Sequence, residues 1–596
     1  MATSEKTKRT FRKPSPVEGI KTDSGGLCGT LRDELALPTP NVTNAGEQVL
    51  KFHGVYQQDD RDTRTARKKA GLDKDHSFMV RTKFPGGRIS AEQYLVCDEL
   101  AGRFGFNDLR VTSRQDLQVR GVAKGDLRPL LNGLNRLAQV TTFGACGDVV
   151  RNVMAPAVAD IDPRYATIHG DLLGLADRIS AQLLPKTTSY FDLWIDDRAV
   201  EFDEDGSLRY RDQRPAEPAD EPLYGKTYLP RKFKIALATD FDNSVDVFTN
   251  DVGIIAVTEG GTVSGFEILV GGGLGYTHGK KATYSRLGTP FAFVGEDDLI
   301  DLLEAVVRVQ RDHGCRTDRR HGRLKYLIDG QGIEWFRARV EEAAGRRFPP
   351  SRGIVPSAQP DYLGWSKQTR AGLNYVGAWV ENGRIKDFPG GSQFKTGFRD
   401  LIARFKPSVR FTPHHNVILA DIPDDDVPHV QALLDHYRIP TDRGISPLRR
   451  TEMACPALPL CPLALAESER VMPSIAQALE EAGHAREEVV IRMSGCPNNC
   501  SRPRSAELGI IGCGANRYHI YVGGSGIGTR LNEPVIERLP GDEVTGVLNR
   551  LLDLWKSERD DRERFGDWAH RVGAGDLRER LAPEAASRLP AKGNLA

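Results

Sequence analysis

Four cysteines fall into two pairs toward the carboxyl end of the chain: Cys455 and Cys461 in ACPALPLCPLA, and Cys496 and Cys500 in SGCPNNCSRP. Thiols gathered in this way ligate soft metals once they are deprotonated. The gaps hold five and three residues, neither of them a two-residue zinc knuckle, and no histidine stands near enough to complete a mixed site. Iron–sulfur clusters take four thiolates at more varied spacing, often with a proline after a ligand. Cys455, Cys461 and Cys496 are each followed directly by Pro. Proline fixes φ and removes a donor, so it lets a loop wrap a cluster instead of running a helix through it. The spacing therefore favours iron–sulfur over structural zinc, with zinc left open as the reading from another class of function. The other five cysteines, Cys28, Cys97, Cys146, Cys315 and Cys513, are scattered and read as small core residues or inert thiols.

A second constellation is cationic. In RKFK, Lys232 and Lys234 share one side of a strand by its two-residue period, with Arg231 just before them. Arg110 and Arg114 in RVTSRQ and Arg151 in RNVMAP lie in the same half of the chain. An isolated RKFK is ordinarily a solvated strand face. Set against a balanced chain of 82 basic and 81 acidic residues, so many cations in one half suggest a site for an anion.

These groups need elements to hold them, and the chain supplies them twice. GGRIS (86–90) followed by LRVTSRQDLQVRGV (109–122) is matched by NGRIK (382–386) followed by VRFTPHHNVILADI (409–422), aligning Arg110 and Thr112 with Arg410 and Thr412. Helical spacing over 91–105 and 125–138 is matched over 398–405 and 426–437. A predicted hairpin and glycine-rich loop at 252–275 is matched at 508–528. Two copies of a two-part unit predict pseudo-twofold symmetry with a ligand crevice between the halves. Only the second copy carries the cysteines; the first carries RKFK. The runs VGGGLGYTHG and VGGSGIGT do not fit G-x-G-x-x-G, and no G-x-x-x-x-G-K-[ST] loop occurs, so no NADPH, flavin or nucleotide site is expected. Glycine here lets backbone approach a large flat ligand.

Length suggests three or four domains. No apolar run reaches the roughly 18 residues that span a bilayer, and the basic start lacks a secretory apolar segment. A cytoplasmic protein binding neither membrane nor nucleic acid is expected. Residues 1–45 and 583–596 read as extended or disordered, an arm and a tail.

The paired contexts ACPALPLCPLA and SGCPNNCSRP resemble those of the sirohaem and [4Fe–4S] sulfite/nitrite reductases. LKFHGVYQQDDRD, RVTSRQ, GACGDVVRNVMAP, YLPRKFK, LVGGGLG, RTDRR and FGDW extend the resemblance over about residues 48–580 to the assimilatory sulfite reductase haemoproteins. It implies an internally duplicated α+β fold, a pseudo-twofold arrangement of ferredoxin-like half-domains (46–160 and 351–445) and two sirohaem-binding α/β domains (161–350 and 446–582). It implies that Cys455, Cys461, Cys496 and Cys500 ligate a [4Fe–4S] cluster, and that Cys500 is also the axial ligand of the sirohaem iron. Arg110, Arg151, Lys232 and Lys234 would bind the anion; Arg114, Gln118 and Arg231 would contact sirohaem carboxylates. The implied activity is six-electron reduction of sulfite to sulfide in cysteine biosynthesis. Electrons would come from a separate donor, an NADPH-oxidising flavoprotein or ferredoxin. A sirohaem nitrite reductase and a redox-inactive binding module on the same fold are the competing readings.

Overall fold

The computed structural model describes residues 13–166, 171–195, 199–202, 208–211 and 221–585. The first repeat folds into an antiparallel sheet ordered Val55–Asp59, His76–Arg81, Leu117–Val122, Leu109–Val111, with Arg384–Ile385 at its edge. The second folds into Gly364–Lys367, Leu373–Ala378, Val417–Pro423, Ser408–Phe411, with Arg88–Ile89 at its edge. Each edge strand belongs to the other repeat. Arg384 lies opposite Arg110 and Arg88 opposite Arg410, so the halves exchange equivalent strands about a pseudo-twofold axis. Helices Ala91–Phe104, Leu127–Arg136, Phe394–Phe405 and Val427–His436 stand where helical spacing placed them. The first is set by a full capping box, Ser90 with Gln93.

The runs 109–122 and 409–422 each bend into two strands. In the first, the Thr112 hydroxyl accepts from the Arg114 and Asp116 amides at 3.1 and 3.2 Å, and Gln115 takes φ +61°. Thr412 accepts from the Asn416 amide at 3.1 Å, with His415 at φ +72°. Arg110 thus lies on a strand and Arg114 on the tip of the turn.

The remaining sheets are also a pair. Ile235–Thr239 runs parallel to Val252–Glu259, which pairs antiparallel with Thr262–Val270. Ile491–Ser494 likewise runs parallel to Leu508–Gly514, which pairs antiparallel with Arg517–Val522. Their strands are buried nearly throughout, as expected of sheets covered on both faces. The core is largely one continuous apolar cluster through both ferredoxin-like sheets and the first hairpin domain, with a separate cluster under the cysteine-bearing domain.

The N-terminal segment departs from the sequence expectation. Residues 13–50 form helices Pro16–Asp23, Leu31–Ala36 and Asn44–Leu50, with Leu27 and Leu31 fully buried. Each helix is too short to show sustained periodicity, and long-range anchors hold the segment down. Ser15 donates its amide to the Arg316 carbonyl at 2.8 Å, and Lys21 Nζ donates to the Leu229 carbonyl at 2.7 Å. At the other end helix Ala574–Ala585 reaches into the expected tail, whose residues from 586 onward lie outside the described residues, as do 1–12. Among the described residues no helix is long and apolar enough to cross a membrane.

Candidate active site

Both cysteine pairs leave the carboxyl ends of neighbouring parallel strands. Met453–Ala454 lies beside Ile491–Ser494, with Ala454 opposite Met493, so the loops carrying Cys455 and Cys496 leave neighbouring strands. The loops pack without room for a side chain at Gly495, where a Cβ would sit 2.5 Å from Ala457 Cβ and from the Ala466 carbonyl. Donors already point at sulfur: the Gly495 amide at Cys455 Sγ (3.3 Å) and Asn498 Nδ2 at Cys496 Sγ (3.5 Å). Burial pushes the Cys455 thiol up to about 12, with Cys500 and Cys461 adding to the shift. Cys461 and Cys496 are raised by burial and then by Cys500. The four sulfurs therefore act on one another. Yet among the described residues no three Cys, His, Asp or Glu side chains converge as ligands of a single ion.

The first half-domain clamps this loop. Arg61 Nη1 donates to the carbonyls of Cys461, Pro462 and Ala464 at 3.1, 3.1 and 3.2 Å. On the far side, Ser113 Oγ donates to the Cys500 carbonyl at 3.0 Å, and Arg502 Nη1 returns a bond to the Ser113 carbonyl at 3.2 Å. The glycine loop joins from a third direction: Asn499 Nδ2 donates to the Leu274 carbonyl at 3.2 Å and the Tyr276 amide to the Pro497 carbonyl at 3.0 Å. Three parts of the chain thus meet at the turn carrying Cys500.

Cys500, exposed while its three companions are mostly covered, faces a pocket lined by Arg114, Lys232, Lys234, Arg323 and Asn498. Arg323 is matched by buried Asp251 at 2.7 Å. Among the described residues neither Lys232 nor Lys234 forms an ion pair. Burial lowers Lys232 to about 7, helped by Arg151, Arg231 and Arg323, and lowers Lys234 well below the ordinary lysine range, helped by Lys232, Arg114 and Arg323. Arg114 is lowered to about 9 by burial; its guanidinium bonds Asn250 Oδ1 at 2.9 Å and the Ile235 carbonyl at 2.9 Å, while Nε has no partner. Arg114, Lys232 and Lys234, crowded without an ion-pair partner among the described residues, suit an anion site.

Of the sequence-predicted residues, Lys232, Lys234, Arg114 and Cys500 line this pocket, while Cys455, Cys461 and Cys496 do not. Arg151 stands just behind, its guanidinium turned on the Gly147 carbonyl (3.1 Å) and its charge felt by Lys232. Arg231, half-buried, is lowered to about 10 by burial, with the nearby Asp148 charge working the other way. Arg110 is the departure. Its guanidinium pairs with Glu469 and donates to the Ala454 carbonyl at 3.1 Å, away from the pocket. Being on the strand four residues before the tip, it faces the swapped Arg384, which shares Glu469 at 2.8 Å. Gln118 is also occupied, its carbonyl oxygen accepting from Arg120 at 2.6 Å. Residues the sequence reading passed over include Arg323 and Asn498; for Arg323 the dense cations of RTDRRHGR were the available signal.

A larger cavity, about 1160 Å³, occupies the pseudo-twofold equivalent position. There His414 stands for Arg114, and Glu488 and Val490 for Lys232 and Lys234. Its arginines carry their own carboxylates: Arg450 with Asp361 (2.8 Å), Arg530 with Asp567 (2.6 Å), Arg564 with Glu507 (2.7 Å). Size favours this cavity; unmatched charge and the cysteine turn favour the smaller one, and chemistry needs the latter.

A duplicated α+β fold that sets a cysteine-bearing turn against a cation pocket suits a metal-cluster oxidoreductase acting on an anion. The model of the nitrite and sulphite reductase 4Fe-4S domain matches residues 176–348 and 446–589, and that of the nitrite/sulfite reductase ferredoxin-like half domain matches 71–137 and 366–437. The chain belongs to the nitrite and sulphite reductase family. It is 41% identical over 583 residues to a sulfite reductase [NADPH] hemoprotein beta-component from Chromohalobacter salexigens, covering 97% of each chain. Identity to the protein of that name from Shewanella loihica is 40%, covering 94% of this chain and 97% of that one. The sulfite reductase [NADPH] subunit beta of Saccharomyces cerevisiae is 38% identical over 94% of this chain and 40% of its own length. A solved structure of Mycobacterium tuberculosis NirA protein superimposes with a TM-score of 0.75 at 22% identity, covering 95% of this chain and 98% of that one; it shows the shared fold.

Proposed function

We propose that the chain reduces sulfite to sulfide by six electrons, using sirohaem and a [4Fe–4S] cluster, as part of sulfate assimilation. The observation that carries this reading is the position of Cys500, on a cysteine turn held by Ser113 and facing the cation pocket. Cys455, Cys461, Cys496 and Cys500 would hold the cluster, Cys500 also the sirohaem iron. Bound there, the pair supplies one-electron relay and an iron at which sulfur can be reduced.

The protein's own groups account for the rest. Hydrogen sulfite consumes six electrons and six protons, giving hydrosulfide and three waters. Arg114, Lys232 and Lys234 donate hydrogen bonds to the oxygens of the bound anion, which polarises each oxygen toward leaving as water, and Arg151 behind them helps offset its charge. Lys232, near neutrality, both gives a proton and regains one. Arg114 serves here in place of Arg110, which holds Glu469. Gly272 keeps backbone close: a Cβ there would stand 2.2 Å from the Phe248 carbonyl.

With no nucleotide loop in the chain, electrons come from a separate protein, here an NADPH-oxidising flavoprotein subunit, in keeping with the names of its relatives. The test offers purified, cofactor-loaded protein sulfite or nitrite with dithionite-reduced methyl viologen. Sulfide should form, with kcat/KM higher for sulfite. Nitrite preferred over sulfite would refute the assignment.

A further inference from the structure

We propose that the turn formed by residues 276–283 is the docking point for an acidic, flavin-bearing electron-carrier protein. This deepens the function proposed above and rests on it. From Ile268 to Gly295 the chain has no Asp or Glu, while His278, Lys280 and Lys281 crowd the tip. All three are exposed, and among the described residues neither lysine forms an ion pair. A run of charge on a loop is ordinarily a solvated surface. Two features separate this one.

First, the turn is preformed. The Thr277 amide donates to Thr283 Oγ1 at 2.9 Å, and that hydroxyl donates to the Lys280 carbonyl at 2.8 Å, closing the tip from within. The lysines are displayed on a fixed support, so less order is lost when a partner binds. Second, its base is joined to the cysteine turn. The Tyr276 amide bonds the Pro497 carbonyl at 3.0 Å, between two cluster cysteines. A Cβ at Gly275 would lie 3.2 Å from the Asn498 carbonyl, so the two segments touch backbone to backbone. Beside them Tyr276 and Tyr521 share a hydroxyl bond of 3.0 Å, and the Arg504 guanidinium lies 4.3 Å over the Tyr521 ring. An acidic face seated on the lysines is therefore held over the backbone of the cysteine turn. The chain as a whole carries a net charge of +1, so attraction must come from such a local patch.

The experiment titrates cofactor-loaded protein with FMN-loaded flavodoxin at low and moderate ionic strength, comparing the original chain with the double variant Lys280→Glu, Lys281→Glu. Viologen-driven sulfide formation is measured on the same samples. The expected result is a Kd raised about tenfold or more and a flattened salt dependence, with viologen turnover unchanged. Unchanged Kd and salt slope would overturn the docking site, as would viologen turnover falling in parallel, or a plant-type [2Fe–2S] ferredoxin binding the turn while flavodoxin does not. Absence of viologen-driven sulfide formation in the original chain would instead count against the proposed function, with the binding titration still reporting on the surface.

Discussion

Lys232 and Arg114 are where residue-scale chemistry can be separated from residue-scale architecture. Replacing Lys232 by Met should lower sulfite turnover at least about a hundredfold, in the range of a lost general acid, while leaving the visible spectrum of the loaded protein in place. Its ammonium is held down to about 7, so the cation is present below that pH and lost above it. The KM for sulfite should accordingly rise as pH passes upward through about 7, and Lys232→Arg, charged throughout, should flatten that rise. The same shift makes charged Lys232 a stability cost at acid pH that fades between about 7 and the ordinary value of 10.5. The two arginines of RVTSRQ should part company. Arg114→Ala should raise the KM for sulfite with little change in urea unfolding. Arg110→Ala should cost about 2 kcal/mol in urea unfolding, by leaving Glu469 half-matched, with KM nearly unaltered.

At the scale of elements, the exchanged strands carry the duplication. Gly383 precedes Arg384–Ile385 with φ +74°, and a Cβ there would meet the Val111 carbonyl at 2.5 Å. Gly383→Ala should therefore destabilise by about 2–4 kcal/mol, from backbone strain plus the clash. Because that strand finishes the other repeat's sheet, unfolding followed by probes in either half should shift together. The repeats themselves were legible: GGRI and NGRI, with the aligned Arg110 and Arg410, mark the two swapped strands. Which side chain reaches the pocket was not. That depends on the bend at Thr112, set by one hydroxyl and the left-handed Gln115, and alternating periodicity carries no sign of it. The N-terminal helices were hidden for a related reason, since Lys21 finds its partners at Leu229 and Asp148, far along the chain.

Across the whole molecule, symmetry is broken where function needs it. One half supplies uncompensated cations, the other four thiols, and the equivalent cavity is neutralised by its own carboxylates. The cysteine spacing and RKFK announced this asymmetry in the sequence; the pairing of Arg450, Arg530 and Arg564 with acids from distant segments could be seen only in the fold. Neither half holds the site alone, because the Cys500 turn is bound at once by Ser113, by Leu274 and by its own domain. The most direct measurement is the absorption and electron paramagnetic resonance spectrum of Cys500→Ser, loaded anaerobically beside the original chain. Joint loss of the tetrapyrrole and cluster signals, with sulfite reduction gone, is the result this account requires. A Cys500→Ser variant retaining both signals and its turnover would contradict it.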